Sequence, residues 1–213
     1  MTDLAGAYLI AAEAAASLLE DPAVAAAWHQ QSALADFGVS GLAGHLASQV
    51  LNVDLLLETK ADPATPTIDL EEHYSRVGWR GAAPEADINV GIRAGGEQTA
   101  LAGVAAVAAE VRAAIERLRT TLPGADGAAP VVLPWTGWAL TFDDFLTTRM
   151  MELAVHSDDL AVSVGVPTPA LPVRVMHLVF DLLFVLALRR HGQVAMLRAL
   201  SRAERAPDRI NAI

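Results

Sequence analysis

The chain has 213 residues, 53% of them hydrophobic and 19% charged, with a formal net charge of −10. That length can bury a sizeable core in one domain, and the acidic balance argues against nucleic acid as a partner. Cysteine is absent, which excludes disulfides, thiolate metal ligands and a protein thiol nucleophile; any metal falls to His, Asp or Glu, and any thiol must arrive as a small molecule.

Asp3 to Leu19 is alanine-rich and reads as a first helix. It lacks a basic leading region and carries Asp3 and Glu13, so a secretory leader is not expected and the cytoplasm is the expected compartment. Asp21-Pro22 breaks the pattern. Ser40 is the expected N-cap of a second helix running to about Lys60, with Leu42, Leu46, Val53 and Leu56 on one side. Asp62-Pro63 and Thr65-Pro66 end it, and a long connection follows to about residue 95. Within that connection Asp69 and Glu72 have capping-box spacing for a short helix to Arg76; Gly78, Gly81, Pro84 and Gly91 make the rest irregular.

A third helix is expected from about Gly96 to Leu122, on a stripe of Leu101, Val104, Ala108, Val111, Ile115, Leu118 and Leu122. Pro123-Gly124 stops it, and a loop rich in Gly, Ala and Pro runs to Gly137. Thr141 begins a fourth helix, with Asp143 and Asp144 in a first turn that favours negative charge; it runs to about Val164 and is closed by Gly165 and Pro167. A fifth helix spans Val173 to about Arg190. It is too short for a membrane span and carries Arg174, His177 and Asp181. A weaker helix from Gln193 to about Glu204 follows. Seven arginines from Arg174 onward, against Asp181, Glu204 and Asp208, make this last part basic by four and leave the first 173 residues at −14.

These elements predict an all-α fold in a single domain, residues 1–213: a four-helix bundle over about 5–170 with a long second-to-third crossover, then accessory C-terminal helices over about 171–205. The apolar fifth helix has two open roles, covering the bundle within one chain or forming a homodimer contact.

The fourth helix carries the chemistry. Arg149, Glu152, His156 and Asp159 fall within an arc of about 80° at helical spacing. Glu152 and His156, four apart, can reach one ion, although the same spacing suits an ordinary ion pair or a satisfied core histidine. On the second helix His45, Gln49 and Asn52 lie within about 60° of one another, a polar stripe on a core-facing helix whose buried groups need partners. A partner on the fourth helix is the economical choice. His45, Glu152 and His156 would then supply two imidazoles and a carboxylate, a set suited to Zn²⁺ with an open position, and also to Fe²⁺ or Ni²⁺. Arg149, Asp159, Gln49 and Asn52 stand beside that set, to orient ligands or substrate or to fix helix register.

The string Arg149-x-x-Glu152-x-x-x-His156-x-x-Asp159-Leu160, followed by Gly165, resembles the signature of the mycothiol-dependent maleylpyruvate isomerase metal-binding domain. Gly44-His45-Leu46 resembles that family's first ligand site, and the helix order resembles the DinB-like bundle. The lead-in departs: Asp36-Phe37-Gly38-Val39 stands where such proteins commonly have Pro-Gly-Trp. The resemblance implies a divalent metal, usually zinc, on His45, Glu152 and His156. It also implies a low-molecular-weight thiol such as mycothiol as cosubstrate, a small electrophilic substrate, and a transferase or isomerase reaction. A metal-dependent hydrolase on the same bundle and a non-catalytic binding or stress-response protein are the alternatives.

Of the other polar groups, Arg189 and Arg190 are candidates for an anionic substrate. His73, Tyr74, Trp79 and Arg80 either line a pocket mouth or pack as an aromatic loop. Trp135 and Trp138 are expected to anchor the loop before the fourth helix. His29, His177 and His191 have no partner visible in sequence. Neither a phosphate-binding glycine loop in strand context nor a Gly-x-Ser-x-Gly elbow is present.

Overall fold

A computed structural model describes residues 4–57, 59, 62 and 64–213. The helices are α1 (Leu4–Leu19), α2 (Pro22–Ala27), α3 (Val39–Leu57), α4 (Leu70–Arg76), α5 (Asp87–Ala100), α6 (Val104–Thr121), α7 (Phe142–Val164), α8 (Val173–His191) and α9 (Gln193–Ser201). Strands β1 (Pro130–Val132) and β2 (Ala139–Thr141) form an antiparallel hairpin in which Pro130 faces Thr141.

Helices α1, α3, α6 and α7 make the expected four-helix bundle: α1 and α3 each pack against both α6 and α7. Its interior is mainly aliphatic, filled by Leu42, Leu46, Ile115, Leu118, Leu146 and Met150, with Tyr8 and Phe145 as fully buried aromatics. Leu42, Leu46, Val53 and Leu56 are all buried, as the stripe on the second helix requires. α8 lies outside the bundle against α7 and α1, and α9 folds back on α8 after Gly192, whose φ of 80° suits a residue without a Cβ.

Local rules account for most of the boundaries. The Thr141 side chain accepts from the Asp144 N–H at 3.1 Å and starts α7, and Gly165, in the left-handed region at φ 72°, ends it. Asp69 accepts from the Glu72 N–H at 2.8 Å and starts α4.

Four expectations are corrected. Asp21-Pro22 does not merely interrupt the chain: Asp21 accepts from the Ala23 N–H and, with proline at the first helical position, begins α2. Ser40 is not the cap of the second helix, which already starts at Val39; its hydroxyl instead donates to Glu97 on α5 at 3.2 Å. The end of that helix near Lys60 falls outside the described residues. The third helix is two helices, α5 and α6, bent by 93° at a break where Gly103 has φ 86°. Leu101, expected on the buried stripe, sits at this break and is 75% exposed. Lastly, the loop before the fourth helix holds the hairpin, with Gly137 at φ 83° in its turn.

The extra helix α5 packs along α3. A Cβ on Gly44 would collide with the carbonyl oxygen of Gly96, and a Cβ on Gly96 with that of Gly41, so the two backbones touch where these three residues meet. The crossover is also pinned at its start: Ile68 N–H donates to the Ala139 carbonyl at 3.0 Å and Ala139 N–H to that of Pro66 at 2.9 Å. Among the described residues no single helix is long and apolar enough to cross a membrane.

Candidate metal centre

Two bundle helices that pack side by side, α3 and α7, bring the expected residues together. The ligand atoms of His45, Glu152 and His156 all lie within 4.8 Å of one another. His156 Nε2 is 2.9 Å from Glu152 Oε2, and His45 Nε2 is 3.9 Å from the same oxygen. The two imidazoles meet edge to face with centroids 4.7 Å apart. Their side chains and that of Glu152 keep 15–18% of their surface exposed, so the cluster is partly enclosed but open to small solutes.

Neighbouring residues fix its geometry. Asp159 Oδ2 lies 3.0 Å from His156 Nδ1. With a proton on Nδ1 donated to Asp159, the other nitrogen is turned toward Glu152. Gln49 is 1% exposed; its Nε2 donates to the His45 carbonyl at 2.9 Å and stands 3.4 Å from His45 Nε2. Arg149 donates to Gln49 Oε1 and, through Nε, to Thr148 Oγ1, and its guanidinium lies 5.4 Å from the Phe145 ring centroid. Asn52 does not join: it is half-buried one turn beyond, and no described side-chain bond reaches it.

The electrostatics follow from this packing. Burial penalises a charge on His45 most strongly and holds its basicity below the usual histidine range, with the neighbouring His156 adding to the effect and Glu152 opposing it. Burial also penalises His156, but Asp159 and Glu152 grip its two nitrogens and raise it to about 9. Glu152 is pushed up by burial, yet the hydrogen bond from His156 and the nearby positive charge of Arg149 outweigh that and hold it well below the ordinary carboxylate range.

The crossover closes over this region by packing. His73 and Tyr74 are buried, Trp138 Nε1 donates to His73 Nδ1 at 3.1 Å, and Tyr74 meets Trp79 edge to face. Burial, helped by the charge of Arg149, lowers His73 to about 4. Arg80 and Arg189 donate to α4 carbonyls, of Tyr74 and Glu71 respectively. Sequence reasoning missed two participants. Phe37, in the lead-in that departs from the Pro-Gly-Trp pattern, places its ring 6.1 Å from His45, and Tyr8 donates to the Gln49 carbonyl at 3.0 Å. An aromatic just before the helix was the available signal for Phe37; Tyr8 comes from a distant helix and gave none.

A cavity of about 540 Å³ opens between α1, α7 and α8, but its wall carries Asp159 and neither imidazole. Convergent ligand atoms identify a metal centre better than empty volume does, so the candidate site is the α3–α7 cluster.

The model of the mycothiol maleylpyruvate isomerase N-terminal domain family matches residues 8–161. The chain belongs to this family. The match runs from within α1 through most of α7 and so contains all three candidate ligands. No curated protein and no solved structure matches the chain.

Proposed function

We propose that this chain binds one divalent metal ion through His45, Glu152 and His156 and uses it in a thiol-dependent transfer or isomerisation on a small electrophile. The convergence of the three ligand atoms within 4.8 Å carries the reading. The donor set fits: one imidazole is kept neutral by burial, the other is oriented by Asp159, and the carboxylate is ionised. Two nitrogens and one carboxylate oxygen suit zinc best and accept nickel or iron.

A bound metal would lower the pKa of a thiol and hold its thiolate. The chain itself contributes the rest. Glu152 and the two imidazoles set the position of the ion, and the Phe37 ring borders His45. The buried Gln49 and the half-buried Arg149 supply N–H donors and positive charge. The lack of cysteine means that the thiol comes from solution, and family membership supports mycothiol as that thiol. Val173, Phe180 and Phe184 leave an exposed apolar stripe on α8, which supports the homodimer contact, to be measured by light scattering.

The test is elemental analysis of protein purified without a histidine tag, beside a His45→Ala, His156→Ala double variant. About one metal per chain in the parent, lost in the variant, is expected. Absence of metal after incubation with Zn²⁺ refutes the reading. Turnover of an electrophile without added thiol would replace it with metal-dependent hydrolysis.

A further inference from the structure

Gln49 makes more contacts than a residue that only fills space. It is essentially inaccessible to solvent, and its two amide hydrogens face three acceptors. These are the His45 carbonyl at 2.9 Å, Ser48 Oγ at 3.2 Å and His45 Nε2 at 3.4 Å. The first two are themselves joined, since Ser48 Oγ donates to the His45 carbonyl at 2.7 Å, so one N–H serves that pair. The second N–H belongs to the amide nitrogen that stands 3.4 Å from His45 Nε2, the ring nitrogen that also lies 3.9 Å from Glu152 Oε2. The amide cannot turn over. Arg149, which has only donors, holds Oε1, and a flip would set its N–H groups against the amide NH₂ while turning Oε1 onto the His45 carbonyl. Tyr8 anchors the same residue through its backbone carbonyl.

Once His45 Nε2 is engaged as a ligand it no longer accepts a hydrogen bond, and the second N–H of Gln49 is left as a fixed donor beside the centre. Leaving a buried donor unsatisfied is costly, so a ligand able to accept from it is favoured. We propose that Gln49, oriented by Arg149, is a hydrogen-bond donor to an anionic ligand, such as a thiolate, bound at the open side of the His45–Glu152–His156 cluster. Arg149 is a positioning residue here: it acts on the ligand through the Gln49 amide. This rests on the metal-binding reading above and assigns the ligand class that the open side takes.

The experiment uses the full chain loaded with Co²⁺ and titrated with 2-mercaptoethanol, followed by the thiolate-to-cobalt absorption band. Gln49→Leu and the near-isosteric Gln49→Glu are expected to take up Co²⁺ as the parent does but to bind the thiolate about tenfold or more weakly, the scale of a hydrogen bond to a charged group. Arg149→Met should weaken thiolate binding in the parent background and have little further effect in Gln49→Leu, since the two act in series. Parent-like thiolate affinity in Gln49→Leu overturns the proposal. So does loss of Co²⁺ from both Gln49 variants, which would make Gln49 a support for His45 alone. Additive losses from Gln49→Leu and Arg149→Met would remove the positioning role of Arg149. A parent that takes up no Co²⁺ refutes the metal reading and this proposal with it.

Discussion

On the metal-binding reading, proton competition at His156 makes uptake of the ion steeply pH-dependent. Without an ion, the imidazole is clamped between Asp159 and Glu152 and is protonated up to about pH 9. His45 is held neutral and Glu152 ionised, so neither has a proton to release at pH 7. On that reading a divalent ion such as zinc displaces one proton, from His156. Between pH 7 and pH 9 the apparent affinity should rise by up to about 100-fold, tenfold per pH unit, and then level off. Stability of the metal-free chain runs the other way. A histidine whose pKa is raised by folding contributes stability that is complete below its unfolded value of about 6.5 and is lost as pH rises through about 9, here on the order of 3 kcal/mol. Competition with a chromophoric chelator at several pH values reads the first effect. Calorimetry in buffers of different ionisation enthalpy counts the proton. Asp159→Asn, which removes one of the two clamps, should move the onset of binding to lower pH. An affinity that is flat from pH 7 to 9, with no proton released, would refute the account of His156 as a charged residue awaiting a metal.

Gly44→Ala forces a methyl into the backbone of α5 and should cost about 1–3 kcal/mol, a fall in Tm of roughly 2–10 °C by thermal melting. Gly91→Ala on an exposed face of α5, where a Cβ meets nothing, should leave Tm unchanged or raise it slightly. His73 is kept neutral at pH values where a free histidine would charge, so the stability this allows is complete above about pH 6.5 and lost as pH falls through about 4. His73→Gln, which still offers an oxygen to Trp138 Nε1, should flatten the fall in urea midpoint across that window.

Much of the candidate cluster's geometry was legible because it is written in helical periodicity. Arg149, Glu152, His156 and Asp159 share one face of α7 by arithmetic alone, and His45 with Gln49 share one face of α3. Once both helices enter one bundle, a polar stripe on each has few ways to be satisfied other than by meeting the other. The same arithmetic does not carry to Asn52, which shares the helical phase but lies one turn beyond Gln49 and is reached by no described side-chain bond. Phase is a property of one helix; depth along the interface depends on two.

The sequence by itself determined the class of fold, the faces of α3 and α7 and several helix ends, because each of these depends on residues within a few positions of one another. Thr141, Asp69 and Gly165 act on their own turns, and the 3-4 spacing of Leu42, Leu46, Val53 and Leu56 names the buried side without reference to any partner. The tertiary structure alone decided what depends on contacts between distant segments. Helix α5 has little apolar character of its own and is held by the glycine contact with α3, and the hairpin is held by pairing with itself and with the start of the crossover. Phe37, Tyr8 and Trp138 reach their places near the site for the same reason: packing free energy is gained only when separate elements come together, and no local pattern records it.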